Sequence, residues 1–169
     1  MTISTLICFV GLSVALCATN FGADSLDVVS NPAQPTPRSF GDSGDMELSS
    51  DGKWTVFASS GNGIVTNKHN GFYVDIFQRN NETGEITLHS GDNSVPGGLA
   101  DSDSYGPRIS GDGRYVVFES DASNLVAGDD NDSTDAFIYD RTTGELKLLS
   151  VDDEGYALQG TSGAPIISV

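Results

Sequence analysis

One unit of about sixty residues occurs twice in this chain, and a fixed internal period constrains the architecture more than any single element does. Leu48–Trp54 (LSSDGKW) matches Ile109–Tyr115 (ISGDGRY), and Thr83–Leu88 (TGEITL) matches Thr143–Leu148 (TGELKL). The two copies keep the same order and nearly the same spacing. The chain is therefore expected to build one structural unit twice rather than fold around a unique core.

The sequence of the second copy predicts four short strands. Its segments are 4–7 residues long, rich in β-branched and aromatic residues, and separated by turn sequences. Gly111-Asp112-Gly113 is typical of a tight hairpin, and Arg141–Glu145 is typical of a second turn. The predicted strands are Pro107–Ser110, Arg114–Ser120, Asp135–Asp140 and Leu146–Val151. The pattern predicts one four-stranded antiparallel sheet per copy.

Incomplete copies flank the two complete ones. The fourth-strand pattern recurs at Leu26–Ser30, Ile86–Ser90 and Leu146–Ser150. Near the other end, Ala164–Ser168 repeats Gly106–Ser110, which belongs to a first strand. We therefore expect a leading strand, two complete sheets and a trailing strand.

The chain resembles the TolB-like family of β-propeller repeats. The resemblance covers roughly Asp45 to Val169 and is strongest in the second copy. The first copy has Met46 near the proline position, Trp54 for the tyrosine and Gln78-Arg79-Asn80 for the Tyr-Asp run. The matching residues are Pro107, Ile109, Ser110, Asp112-Gly113-Arg114-Tyr115-Val116, Phe118, Asp135, Phe137, Tyr139-Asp140 and Thr143-Gly144.

This resemblance implies an all-β fold made of β-propeller blades of four antiparallel strands. Propellers close with about four to eight blades, so about two complete blades plus a leading and a trailing strand would be a fragment of a larger propeller. The alternatives are assembly with further copies, or open strand edges that allow self-association. The expected domains are residues 24–44 (leading strand and proline-rich linker), 45–92 (first blade), 93–152 (second blade) and 153–169 (linker and first strand of a truncated third blade).

Residues 1–23 contain no charged side chain, and Leu6–Ala18 is a compact apolar run. This pattern favours a signal peptide, although the usual basic start is missing. A hydrophobic strand, a short membrane anchor and a lipoprotein box at Val14–Cys17 are the alternatives. The run is short for a membrane span, which needs about twenty residues. We expect a secreted, periplasmic or extracellular protein whose mature chain lacks both Cys8 and Cys17 and has no membrane span.

The formal net charge is −16, from 24 acidic and 8 basic residues. Nucleic acids are poor partners for such a surface because binding to phosphates requires a basic footprint. An acidic surface suits solubility, a cationic partner or divalent cations. The identity of a protein or saccharide partner is left open by the sequence.

The densest acidic cluster lies between the second and third strands of the second copy. Asp129, Asn131, Ser133 and Asp135 alternate along it, and calcium prefers several oxygen ligands on a flexible loop. Asp129, Asn131 and Asp135 are therefore calcium candidates. The competing interpretation is a turn in which these side chains bind backbone amides. An EF-hand-like spacing at Asp101–Gly106, with Asp112 at the twelfth position, is disfavoured because a strand follows it and no helices flank it.

No catalytic residue or cofactor is predicted. Gly41-Asp42-Ser43-Gly44 spells the nucleophile motif of trypsin-like proteases, but catalysis would also need a histidine base. His69 and His89 are the two histidines, and His89 stands where the second copy has Leu149. We interpret the motif as a coincidence. Recurring aromatic residues are expected to pack in the core: Trp54, Phe57, Phe77, Tyr115, Phe118, Phe137 and Tyr139.

Three functional hypotheses follow. The first is a non-catalytic extracytoplasmic propeller segment that acts as a protein- or ligand-binding scaffold. The second is the N-terminal propeller part of a larger secreted enzyme, of the serine peptidase or polysaccharide lyase type. The third is a calcium-dependent surface adhesion module.

Overall fold

The structure is a computed structural model, and it describes residues 8–10, 13–15, 43–61, 63–65, 73–95 and 97–168. Within the segment expected to be a signal peptide, β1 (Cys8–Val10) pairs antiparallel with β2 (Ser13–Ala15). The expected leading strand and the proline-rich linker lie outside the described residues.

Two four-stranded antiparallel sheets make up the rest of the fold, each with its strands in sequential order. The first blade contains β3 (Ser43–Leu48), β4 (Trp54–Ser59), β5 (Asp75–Asn80) and β6 (Ile86–Leu88). The second blade contains β7 (Ser104–Ile109), β8 (Tyr115–Ser120), β9 (Asp135–Asp140) and β10 (Glu145–Leu148). No helix occurs within the described ranges. The all-β prediction of two four-stranded antiparallel blades is confirmed.

The first strand of each blade contains a bulge, and in the second blade this strand begins at Ser104, before the predicted start at Pro107. In β7 the pairing shifts between Tyr105 and Arg108, and Gly106 takes a φ of +61°. In β3 the shift lies between Gly44 and Met46, and Asp45 takes a φ of +40°. A bulge leaves a residue outside the ladder, which explains how Pro107, without an N–H, fits inside a strand.

The hairpin between the first and second strands is built alike in both blades. Ser110 Oγ donates to Asp112 Oδ1 at 2.6 Å and accepts the N–H of Tyr115 at 2.9 Å. In the first blade Ser49 makes the same two contacts with Asp51 and Trp54, at 2.7 and 3.0 Å. The serine hydrogen bond lowers the pKa of each turn aspartate below its usual value. The repeated Ser-x-Asp-Gly motif is therefore a turn device.

The two blades pack face to face. Ile109, Val116, Phe118 and Phe137 of the second blade share one buried cluster with Val56, Ala58 and Ile76 of the first. Phe118 and Phe137 stack with ring centroids 5.6 Å apart, and Phe57 and Phe77 stack at 5.5 Å in the first blade. These four rings are 0–1 % exposed, which confirms that they are core residues. Trp54, Tyr115 and Tyr139 are partly buried.

Backbone and side-chain hydrogen bonds also cross between the blades. Ser104 N–H donates to Val74 O at 2.8 Å, and Ser50 N–H donates to Gly111 O at 2.9 Å. Glu47 Oε2 accepts the N–H of Ile109 at 2.8 Å. These contacts fix the register of one blade on the other, beyond what apolar packing alone would specify.

The segment after the second blade contacts that blade through the same kind of backbone hydrogen bond that joins the two blades. Ser162 N–H donates to Thr134 O at 2.8 Å, which repeats the bond from Ser104 to Val74 at the preceding blade junction. Ala164, at the repeat position of Gly106, has a φ of +33°. Residues 159–168 form no strand, so the truncated third blade stays a prediction.

Candidate functional site

The acidic loop between β8 and β9 ends in a buried carboxylate. Asp135 is the first residue of β9 and is fully buried. Ser150 Oγ donates to Asp135 Oδ1 and accepts the N–H of Ala136 at 3.2 Å. The first blade repeats this arrangement, with Ser90 donating to Asp75 at 2.8 Å. The serine that closes each fourth-strand pattern thus ties that strand to the third.

Asp129 is the partner that the second blade places against Asp135. It lies in the loop, is 9 % exposed, and its carboxyl is within hydrogen-bonding reach of the Asp135 carboxyl. Burial raises the pKa of Asp129 to about 6, and the neighbouring charge of Asp135 acts in the same direction. Asp101 and Asp130 add negative charge nearby. The site is electrostatically unfavourable for two ionised carboxylates.

Each carboxyl of this pair has one buried oxygen without a hydrogen-bond partner. These atoms are Asp129 Oδ2 and Asp135 Oδ2. The ion pairs Lys53–Glu82, Arg114–Asp140 and Lys147–Glu145 involve neither Asp129 nor Asp135. Buried polar groups are normally paired, so this pair has the chemistry to share a proton or to hold a cation.

Asn131 does not join the two aspartates. Its Oδ1 accepts the N–H of Ser133 at 2.8 Å, and its Nδ2 donates to Leu158 O at 2.6 Å. The side chain therefore closes a local turn and holds the segment that follows the second blade. Across the described ranges, no three His, Cys, Asp or Glu side chains are grouped for metal binding. Of the three calcium candidates, Asp129 and Asp135 lie together. Asn131 instead binds a backbone amide in a turn, as the competing interpretation proposed.

The residues of the EF-hand-like spacing are used for other contacts. Asp101 accepts the N–H and the hydroxyl of Ser123 at 2.9 and 2.8 Å. Asp103 Oδ1 accepts the N–H of Val74 at 2.7 Å and so links the blades. Asp112 belongs to the hairpin turn. These three carboxylates face different partners.

A second polar cluster lies buried between the blades around His89, which is 2 % exposed. Its Nε2 lies 2.7 Å from Gln78 Oε1, and Gln78 Nε2 donates to Gly113 O at 2.8 Å. The imidazole stacks on Tyr139 with ring centroids 3.9 Å apart. Across the same junction, the Arg141 guanidinium lies 3.9 Å from the centroid of Trp54.

His89 is held neutral by its surroundings. Burial lowers its pKa to about 3, and the charge of Arg141 acts in the same direction, whereas the backbone at Leu88 opposes the shift. Because Gln78 Oε1 can only accept, Nε2 carries the hydrogen, and the buried Nδ1 has no partner. The sequence identifies His89 only as a replacement for Leu149. Because His89 is buried, it is not accessible to act as a catalytic base. His69 lies outside the described residues.

The part of the chain that the structure describes includes no helix of the length and apolarity required to cross a bilayer.

Comparison with known proteins finds no matching family model and no matching curated protein. Among solved structures, the chain is similar to TolB from Acinetobacter baumannii, at 25% identity and a TM-score of 0.41 over 72% of this chain and 24% of that one. It is similar to a TolB candidate from Agrobacterium tumefaciens, at 19% identity and a TM-score of 0.41 over 64% of this chain and 33% of the other. It is also similar to the tricorn protease, at 16% identity and a TM-score of 0.41 over 66% of this chain and 9% of that chain. The chain thus spans a third or less of each of these proteins.

Proposed function

We propose that this chain is a non-catalytic, extracytoplasmic β-propeller segment that acts as a scaffold for binding a protein or another ligand. The observation that carries the proposal is that the polar residues shared by the two blades make structural hydrogen bonds. Ser110 and Asp112 close a hairpin as Ser49 and Asp51 do, and Ser150 ties two strands together through Asp135 as Ser90 does through Asp75. The recurring polar side chains thus serve the structure, which leaves the loops free for recognition.

The surface suggests where binding occurs. Several large apolar side chains stand exposed in loops of the described residues, among them Val95 at 53 % and Tyr156 at 71 %. Tyrosine is enriched at protein interfaces because it combines apolar area with a polar tip. The net charge of −16 favours a partner surface that is neutral or basic. The uncharged apolar start of the chain supports export from the cytoplasm.

Site-specific photocrosslinking in cells that produce the chain tests the scaffold role. A photoreactive residue is placed at Val95 or Tyr156, and the matched control carries it at Thr87, an exposed polar residue of β6. The expected result is one discrete adduct from the loop positions and none from the control. Equal, diffuse labelling at all three positions would contradict a specific binding surface.

Fractionation of the same cells tests the location. We expect the chain outside the cytoplasm, with an intact mass showing that its first residues have been removed. A chain found in the cytoplasm with Met1 retained would refute the extracytoplasmic role.

A fluorophosphonate probe tests the non-catalytic assignment, because it labels activated serine nucleophiles. The folded chain is expected to remain unlabelled. Labelling that is lost in a Ser43→Ala variant would overturn the assignment.

A further inference from the structure

We propose that Asp129 and Asp135 form a binding site for one hard divalent cation of the calcium class in the loop between β8 and β9. The two carboxylates provide the charge, and backbone carbonyls, hydroxyls and water would complete a shell of oxygen ligands. Calcium accepts such irregular shells of about six to eight oxygens.

The first argument is the buried pair of unpaired oxygens. Asp135 is fully buried and Asp129 is 9 % exposed, so neither carboxylate is well solvated. Asp129 Oδ2 and Asp135 Oδ2 each lack a hydrogen-bond partner. Burying a carboxylate oxygen without a partner is costly. Two buried carboxyls within reach of each other, each with an unpartnered oxygen, mark a place that suits a positive ion.

The second argument is charge. Within the described ranges, no lysine, arginine or histidine forms an ion pair with either carboxylate. Asp101 and Asp130 make the surroundings more negative still. Cation binding would offset this repulsion, and buried charges in proteins are generally paired or bound to metals.

The third argument is that the remaining contacts hold the pair in place. Ser150 Oγ donates to Asp135 Oδ1, which leaves Oδ2 as the free ligand atom. Asn131 closes the turn between the two aspartates by accepting the N–H of Ser133, and it is anchored to Leu158 O. Asn131 therefore positions the loop without itself being a ligand.

The test is isothermal titration of the full chain, freed of metal by chelation, with calcium chloride into the millimolar range at neutral pH. We expect one calcium ion per chain and a higher melting temperature with calcium than with chelator. Asp129→Asn is the main variant because Asp129 lies in the loop, outside the strands. It should weaken calcium binding by at least about tenfold, whereas removing the exposed carboxylate of Asp153 in Asp153→Asn should leave it unchanged.

Asp135→Asn is a second variant that should weaken calcium binding as well. Because Asp135 is fully buried and its substitution is expected to destabilise the blade, Asp129→Asn is the variant that decides the test. Absence of calcium binding by the unmodified chain would overturn the proposal. Calcium binding retained at full strength in folded Asp129→Asn would overturn it as well.

Discussion

The buried imidazole of His89 should make the stability of the chain depend on pH. Replacing His89 and Gln78 with the residues found at the matching positions of the second blade should remove this dependence. The second blade has Leu149 at the position of His89 and Ile138 at the position of Gln78. The variant Gln78→Ile with His89→Leu therefore installs the apolar pair that this fold already uses. Gly113 O keeps a donor in that variant, because Arg141 Nε donates to it at 3.0 Å.

The direction follows from the two pKa values. The folded pKa of His89 is about 3, against an ordinary value of 6.5. A lowered pKa means that the folded state favours the neutral imidazole, while the unfolded chain takes up a proton below pH 6.5. The stability that the folded chain has with a neutral His89 is therefore complete above pH 6.5 and is lost as the pH falls toward 3. Each pH unit in that window costs about 1.4 kcal/mol, which amounts to about 2 kcal/mol between pH 7 and pH 5.

Urea unfolding followed by the fluorescence of Trp54, the single tryptophan, measures this effect. The free energy of unfolding of the unmodified chain should fall by about 2 kcal/mol more than that of the double variant between pH 7 and pH 5. Other titrating groups, including His69, are present in both proteins and cancel in the comparison. Parallel pH profiles for the two proteins would refute a neutral, buried His89.

Two further predictions concern the turns. Gly113→Ala should destabilise the chain by about 1–3 kcal/mol more than Gly52→Ala, in thermal or urea unfolding. Both glycines have positive φ, near +70°, but an added Cβ at Gly113 would lie 2.2 Å from Trp54, whereas at Gly52 it meets nothing within 4 Å; equal losses would contradict the close packing of Trp54 against this turn. Asp140→Asn should lower the urea midpoint more at pH 7 than at pH 2, because the ion pair with Arg114 at 2.7 Å holds the pKa of Asp140 well below its usual value, so its stabilisation declines as the pH falls below that usual value. A midpoint loss that persists unchanged at pH 2 would show that the ion pair is not its source.

Much of the fold was predictable because the strands and turns of the repeat are specified by short local sequence patterns. The third strand of the second blade, Asp135–Asp140, has the predicted bounds. The turn glycines have the positive φ that the hairpin interpretation requires. Alternation and turn residues act over a few positions, so they are visible in a sequence.

The bulges and the polar contacts were not predictable in the same way. β7 begins at Ser104 instead of Pro107 because a bulge at Gly106 restores pairing, and a bulge changes the two-residue period on which the prediction rests. The recurrence of Ser90 and Ser150 was visible, but its cause, a bond to an aspartate fifteen residues upstream, lies in the strand pairing.

The candidate site was predictable only in part. Alternation in the acidic loop pointed to Asp129, Asn131 and Asp135 together. The backbone of the loop brings two of them to one place and turns Asn131 toward Ser133 and Leu158. Which side chains of a loop converge depends on its backbone path, which periodicity does not encode. The burial of His89 depends on the neighbouring blade and was equally hidden.

The central claim is that the two blades form one scaffold joined by a specific interface, and amide hydrogen exchange in the native state tests it most directly. The N–H groups of Ser50, Ser104 and Ile109 donate across the junction. We predict that they exchange as slowly as the β8 amide of Phe118, because the junction opens only when the chain unfolds as a whole. Rapid exchange at these three amides, with Phe118 still protected, would show that the blades separate independently and would contradict the account.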